Sequence, residues 1–224
     1  MEMIELGRNL AAFFIVLLFS LCFHEVAHGW VARLRGDRTA EMMGRLTMNP
    51  IAHMDPVGTV ILPLVTIVLN TMSGANLPLF GWAKPVPVNA KYLKNPRTDM
   101  FWIALAGPAS NIFLAVVGTA LLMAAAVGLI STPIFGGIRS LLQQFIVTNL
   151  FLAFFNMIPV HPLDGGKILA RFLPAQVNYK LEQYEHITSM VLMMVMIGGG
   201  LQFLAVPVIR TYEFLIRIAV GVLQ

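Results

Sequence analysis

The chain has 224 residues, 58% of them hydrophobic and only 12% charged, with a mean hydropathy of +0.78. Soluble domains carry about 25% charged residues, so this composition excludes a water-soluble globular protein and indicates one compact bundle of membrane helices. The net charge of +4 comes from loop lysines and arginines, which here report topology and give no reason to invoke nucleic acid; the single cysteine, Cys22, excludes a disulfide framework.

The first apolar run, residues 9–32, is too long for a cleaved signal peptide and reads as a retained span. It contains His24-Glu25-Val26-Ala27-His28. On a helix this H-E-x-x-H spacing sets two imidazoles one turn apart and only about 40° apart around the axis, so both reach one metal ion. Glu25 then lies where it can take a proton from a metal-bound water. Three ionisable side chains inside a span are costly, which argues for a functional site over a structural polar cluster.

The next apolar stretch, Val57 to Asn70, is short and interrupted by Pro63, which favours a re-entrant or half-embedded segment. In Phe80-Gly-Trp-Ala-Lys-Pro-Val-Pro-Val-Asn89 the prolines alternate with valines, which suits an extended strand or hairpin near 80–90 and excludes a helix. Three more segments are long and apolar enough to span: 101–130, 141–160 and 187–207. From Val208 onward, Arg210, Glu213 and Arg217 share one stripe, the pattern of an interfacial amphipathic helix or of a last crossing. The expected fold is an all-α polytopic membrane protein, a bundle of about four to six transmembrane segments with one re-entrant segment. Residues 1–224 read as a single membrane-embedded domain, with a core over about 9–170 and C-terminal helices over about 187–224.

Basic residues are unevenly divided. Residues 33–98 and 160–185 hold most of the 15 lysines and arginines. If Val57–Asn70 does not cross, both rich loops fall on one side, which the positive-inside rule makes cytosolic.

A catalytic zinc site needs three protein ligands, and two histidines do not complete it. Asp164 is the strongest third candidate. It lies in Asn156-Met-Ile-Pro-Val-His-Pro-Leu-Asp-Gly-Gly166, on irregular backbone of the kind tolerated at membrane depth only beside a cavity or protein. His24, His28 and Asp164 meet only if span one and the 141–160 span run in the same direction. The charge asymmetry requires that topology independently. Asn156 is a candidate for orienting substrate or holding an oxyanion. His53, Asp55, Asn111 and His161 read equally as loop, helix-contact or site residues; Trp82 and Trp102 read as interface anchors, and Met190–Met196 as packing.

Together these segments resemble the site-2 protease family of intramembrane zinc metalloproteases, in its compact prokaryotic branch without PDZ or CBS domains. The resemblance covers about residues 20–170. It rests on His24 to His28, Asn49-Pro-Ile-Ala-His-Met-Asp-Pro-Val-Gly58, Gly81 to Asn89, Gly107-Pro-Ala-Ser-Asn111, and Asn156 through Leu163-Asp-Gly165. It implies one zinc ion per chain held by His24, His28 and Asp164, with Glu25 as catalytic base and Asn156 near the scissile carbonyl. It also implies that the 81–89 segment pairs with an unwound substrate, a single-span membrane protein such as a membrane-tethered regulator. The expected location is the cell membrane, multi-pass, with the active site near the cytosolic side; a homo-oligomer is compatible with the sequence. The rival reading is a metal or proton transporter using the same ligands in transit.

Overall fold

The computed structural model describes residues 2–73 and 81–222. The chain runs through α1 (Glu2–Leu34), α2 (Thr39–Met42), α3 (Leu62–Ser73), α4 (Pro96–Leu129), α5 (Phe135–Asn156), α6 (Asp164–Ala170), α7 (Ala175–Gln183), α8 (Glu185–Ile197) and α9 (Ala205–Val222). Within lipid every backbone amide must be satisfied inside its own segment, which is why the apolar runs are helices.

Among the described residues, Leu10–Leu34, Pro96–Leu129 and Phe135–Asn156 are long and apolar enough to cross a membrane. They are the spans expected from the sequence, with α4 and α5 each starting about one turn or more earlier. Pro96 opens α4 at a position where the missing N–H costs nothing. Asp99, in the first turn, accepts a hydrogen bond from the Asn95 N–H at 2.8 Å. α4 is the central helix, packed against α1 on one side and α5 on the other.

The 187–207 span is not continuous. α8 ends at Ile197, the chain turns through Gly198 and Gly199, and the two arms differ in direction by 84°. Gly199 takes φ +73°, a left-handed conformation that glycine adopts without strain. The bend divides the apolar stretch between α8 and the approach to α9. α9 then packs along the bundle: Val208 joins Ala115, Leu122, Ile146 and Leu150 in the largest apolar core, flanked by Tyr212, Leu215 and Ile216. Arg210, Glu213 and Arg217 are exposed on the other face, so the stripe read from the sequence exists and the opposite face is helix-packed.

The 57–70 stretch forms a π-helical turn, Pro56–Ile61, followed by α3. The 12 residues of α3 extend only about 18 Å, short of a hydrocarbon core of ~30 Å. Pro63 falls at the junction where the π-helical turn passes into α3, within the apolar helical stretch Pro56–Asn70. Residues 81–89 lie in no helix. Their one sheet-like pairing among the described residues is an isolated antiparallel bridge, Met54 with Ala83, so no regular strand or hairpin forms there. Phe80 lies outside the described residues.

Candidate metal centre

His24 and His28 project from α1 toward α4 and α6, and both are buried. Their Nε2 atoms are 3.0 Å apart. Asp164, the first residue of α6, brings Oδ2 to 3.1 Å from His24 Nε2 and 3.2 Å from His28 Nε2. These residues form the group of metal-ligand type found among the described residues. The meeting requires α1 and α5 to run in the same direction with α4 opposed, the topology expected from the charge pattern.

Two glycines allow this approach. A Cβ on Gly107 of α4 would sit 2.5 Å from both imidazole rings. A Cβ on Gly165 would overlap the Ile158 carbonyl, so α6 can start against the preceding turn only without a side chain there.

The hydrogen bonds around the rings test whether a metal fits. His28 Nδ1 lies 2.6 Å from the Ile103 carbonyl, which can only accept, so Nδ1 carries the proton. His24 Nδ1 lies 2.6 Å from Asn111 Oδ1, again an acceptor. In the neutral rings that metal binding requires, both Nε2 atoms therefore present lone pairs, to each other and to a carboxylate oxygen. Asp164 Oδ2 is buried and has no hydrogen-bond donor. Three converging lone pairs with no proton to share are a cation site. Their separations of 3.0–3.2 Å are close to the ~3.3 Å donor spacing of a tetrahedron with bonds of ~2.0–2.1 Å.

Glu25 is half-buried, and its Oε2 accepts the Val86 N–H at 2.7 Å. The segment that supplies Val86 is held by side chains where a sheet would use neighbouring strands. Arg45 donates to the Lys84 carbonyl at 2.6 Å, and fully buried Asp37 accepts the Asn89 N–H at 2.6 Å. Arg45, Asp37 and the Glu25–Val86 contact were not legible in the sequence, since each joins a loop or span to a segment distant in the chain.

The remaining candidates separate. Asn156 Nδ2 donates to the Leu152 carbonyl of its own helix at 3.0 Å. Asn111 is drawn into the centre through His24. His53 anchors the Thr47 carbonyl at 2.8 Å, and Asp55 caps the π-helical turn by accepting from Val57 and Gly58. His161 is buried, with Nε2 unpaired among the described residues. Trp82 and Trp102 are partly exposed, Trp102 lying beneath the Arg35 guanidinium at 5.7 Å.

Residues 12–199 match the sequence profile of peptidase family M50. The chain belongs to that family, the site-2 proteases. It is 38% identical over 190 residues to "Putative zinc metalloprotease YwhC" of Bacillus subtilis, covering 83% of this chain and 81% of the relative. It is 30% identical over 148 residues to "Putative zinc metalloprotease Rip2" of Mycobacterium tuberculosis, covering 66% of this chain and 52% of the relative. A Rip2 of Mycolicibacterium smegmatis matches at 33% over 103 residues, 45% of this chain and 35% of the relative. No solved structure matches the chain. The M50 chain is thus a multi-pass membrane metallopeptidase, and zinc, expected from its sequence, suits the two-imidazole, one-carboxylate donor set.

Proposed function

We propose that this M50 peptidase cleaves peptide bonds in or near the transmembrane segment of single-span membrane proteins, from a site close to the cytosolic side. The observation that carries this reading is the position of the donor set. His24 and His28 lie inside the Leu10–Leu34 span, buried, and meet Asp164 at the start of α6. The concentration of lysine and arginine in residues 33–98 and 160–185 supports the cytosolic assignment.

His24, His28 and Asp164 would hold one zinc ion. Once bound, the ion supplies Lewis acidity toward water and toward a peptide carbonyl. The chain's own residues do the rest. Glu25 accepts the proton of the attacking water at a carboxylate oxygen and returns it to the departing amine. Asn156, at the end of α5, is assigned to the substrate carbonyl. A transmembrane substrate hides its amides in its own helix, so it must unwind before cleavage. The 81–89 segment offers a backbone edge to compensate the hydrogen bonds lost on unwinding. Its attachment to Glu25 through Val86 supports docking of a strand beside the base.

The test uses purified protein with a single-span reporter and a zinc count per chain. Glu25→Gln is expected to keep one zinc and lose cleavage by about 10²–10⁴-fold. Full cleavage by Glu25→Gln would remove Glu25 as base, and zinc flux into vesicles without proteolysis would favour the transporter reading.

A further inference from the structure

His28 and His24 have their tautomers set by unlike means. His28 faces a backbone carbonyl, which cannot turn round. His24 faces a side-chain amide, which can. Were the Asn111 amide flipped, its NH₂ would face Nδ1 of His24, the ring proton would move to Nε2, and the lone pair aimed at the metal would be lost.

We propose that Asn149 and Ser20 are positioning residues for the metal centre, completing a one-way hydrogen-bond relay that holds Asn111 in the orientation His24 needs. This rests on the zinc reading above. Asn149 Nδ2 lies 2.9 Å from the Phe145 carbonyl and 2.9 Å from Ser20 Oγ. A carbonyl only accepts, so the nitrogen end of the Asn149 amide is fixed there. Its Oδ1 is therefore left facing Asn111, whose Nδ2 donates to it at 2.9 Å. Asn111 Nδ2 also reaches the Ser20 carbonyl at 3.5 Å, a second acceptor-only anchor. Asn111 Oδ1 is thus committed to His24 and Nδ1 to the proton. Ser20, Asn111 and Asn149 are each fully buried, so no water substitutes for a missing link. The relay joins α1, α4 and α5 at one depth. Ser20 stands one helical turn before His24, so α1 supplies both ends of it.

The experiment measures metal affinity by chelator competition and the visible spectrum of the cobalt-loaded protein, both independent of proteolysis. Asn149→Leu is expected to weaken metal binding about 10–100-fold, as loss of an outer partner of a ligating histidine does. Asn149→Asp keeps an acceptor for Asn111 but sets a second acceptor oxygen against the Phe145 carbonyl, so it recovers only part of the loss, to about three- to tenfold below wild type. Ser20→Ala gives the smallest loss, since Asn149 keeps the Phe145 carbonyl. Thr119→Ala, a buried hydroxyl of α4 bonded to its own helix at the Ala115 carbonyl, changes nothing. The deciding measurement is the Asn111→Leu, Asn149→Leu double-mutant cycle: a relay makes the two losses non-additive, independent packing makes them add. Additive losses, or wild-type affinity in Asn149→Leu, overturn the relay while leaving the zinc reading intact. A wild-type chain that binds no zinc or cobalt overturns the zinc reading and the relay with it.

Discussion

The two ends of the chain treat polar side chains in opposite ways. In α1, α4 and α5 they point inward: Ser20, His24, His28, Asn111 and Asn149 are buried and bonded across helices. In α7 and α8 no residue is buried, and the charged stripe of α9 faces outward. Lipid tails are as apolar as leucine, so apolar burial supplies little force between membrane helices, and hydrogen bonds with close packing must hold them in register. The N-terminal region has both devices around its metal donors. The C-terminal helices are held through α9, by its apolar contacts with α4 and α5 and a hydrogen bond from Gln143 Nε2 to Tyr212 Oη at 3.0 Å. Geometry held to tenths of an ångström is therefore confined to one region, and substitutions should reveal the boundary.

The largest effect is expected for Asp164→Ala, which removes a donor outright. Zinc content after dialysis against a chelator should fall by more than the ~10–100-fold that losing an outer partner costs; retained zinc would remove Asp164 from the site. Gly107→Ala comes next. The added methyl would overlap both imidazoles, so metal affinity should drop about tenfold or more, although alanine favours a helix by ~1 kcal/mol over glycine. Unchanged affinity would mean the centre yields where we describe it as tight. Arg45→Ala should free the Lys84 carbonyl, raise KM for a single-span reporter on the order of tenfold and leave zinc content alone. The smallest change is expected in the other region. Met193→Ala, on the exposed face of α8, should alter thermal stability by no more than about 0.5 kcal/mol and activity by less than twofold. A large loss there would erase the contrast.

Much of the candidate site was legible because its signals are local. His24 and His28 are tied by a four-residue spacing, and Asp164 by its place on irregular backbone after an apolar run. The three long spans were legible from length and hydropathy. The break between α8 and α9 had a signal in Gly198-Gly199-Gly200, but hydropathy averages across it and reads one continuous segment. The strand expected near 80–90 does not form as a regular element; the segment's partners include Glu25, Asp37 and Arg45, and no periodicity announces side chains substituting for a neighbouring strand. Asn149 and Ser20 were invisible for the same reason: each is an ordinary polar residue in an apolar helix until α1, α4 and α5 are assembled.

The depth of His24 and His28 along α1 acts as a ruler. They lie ten and six residues before Leu34, the end of the span, or about 9–15 Å of helix at 1.5 Å per residue. An unwound strand covers that distance at ~3.3 Å per residue, so three to five extended residues reach from that end of the span to the donors. A substrate cut there would yield a fragment whose new terminus carries only a short apolar stub, too short to hold it in a bilayer. On the proposed function, one cut at this depth would thereby turn a membrane-bound protein into a diffusible one.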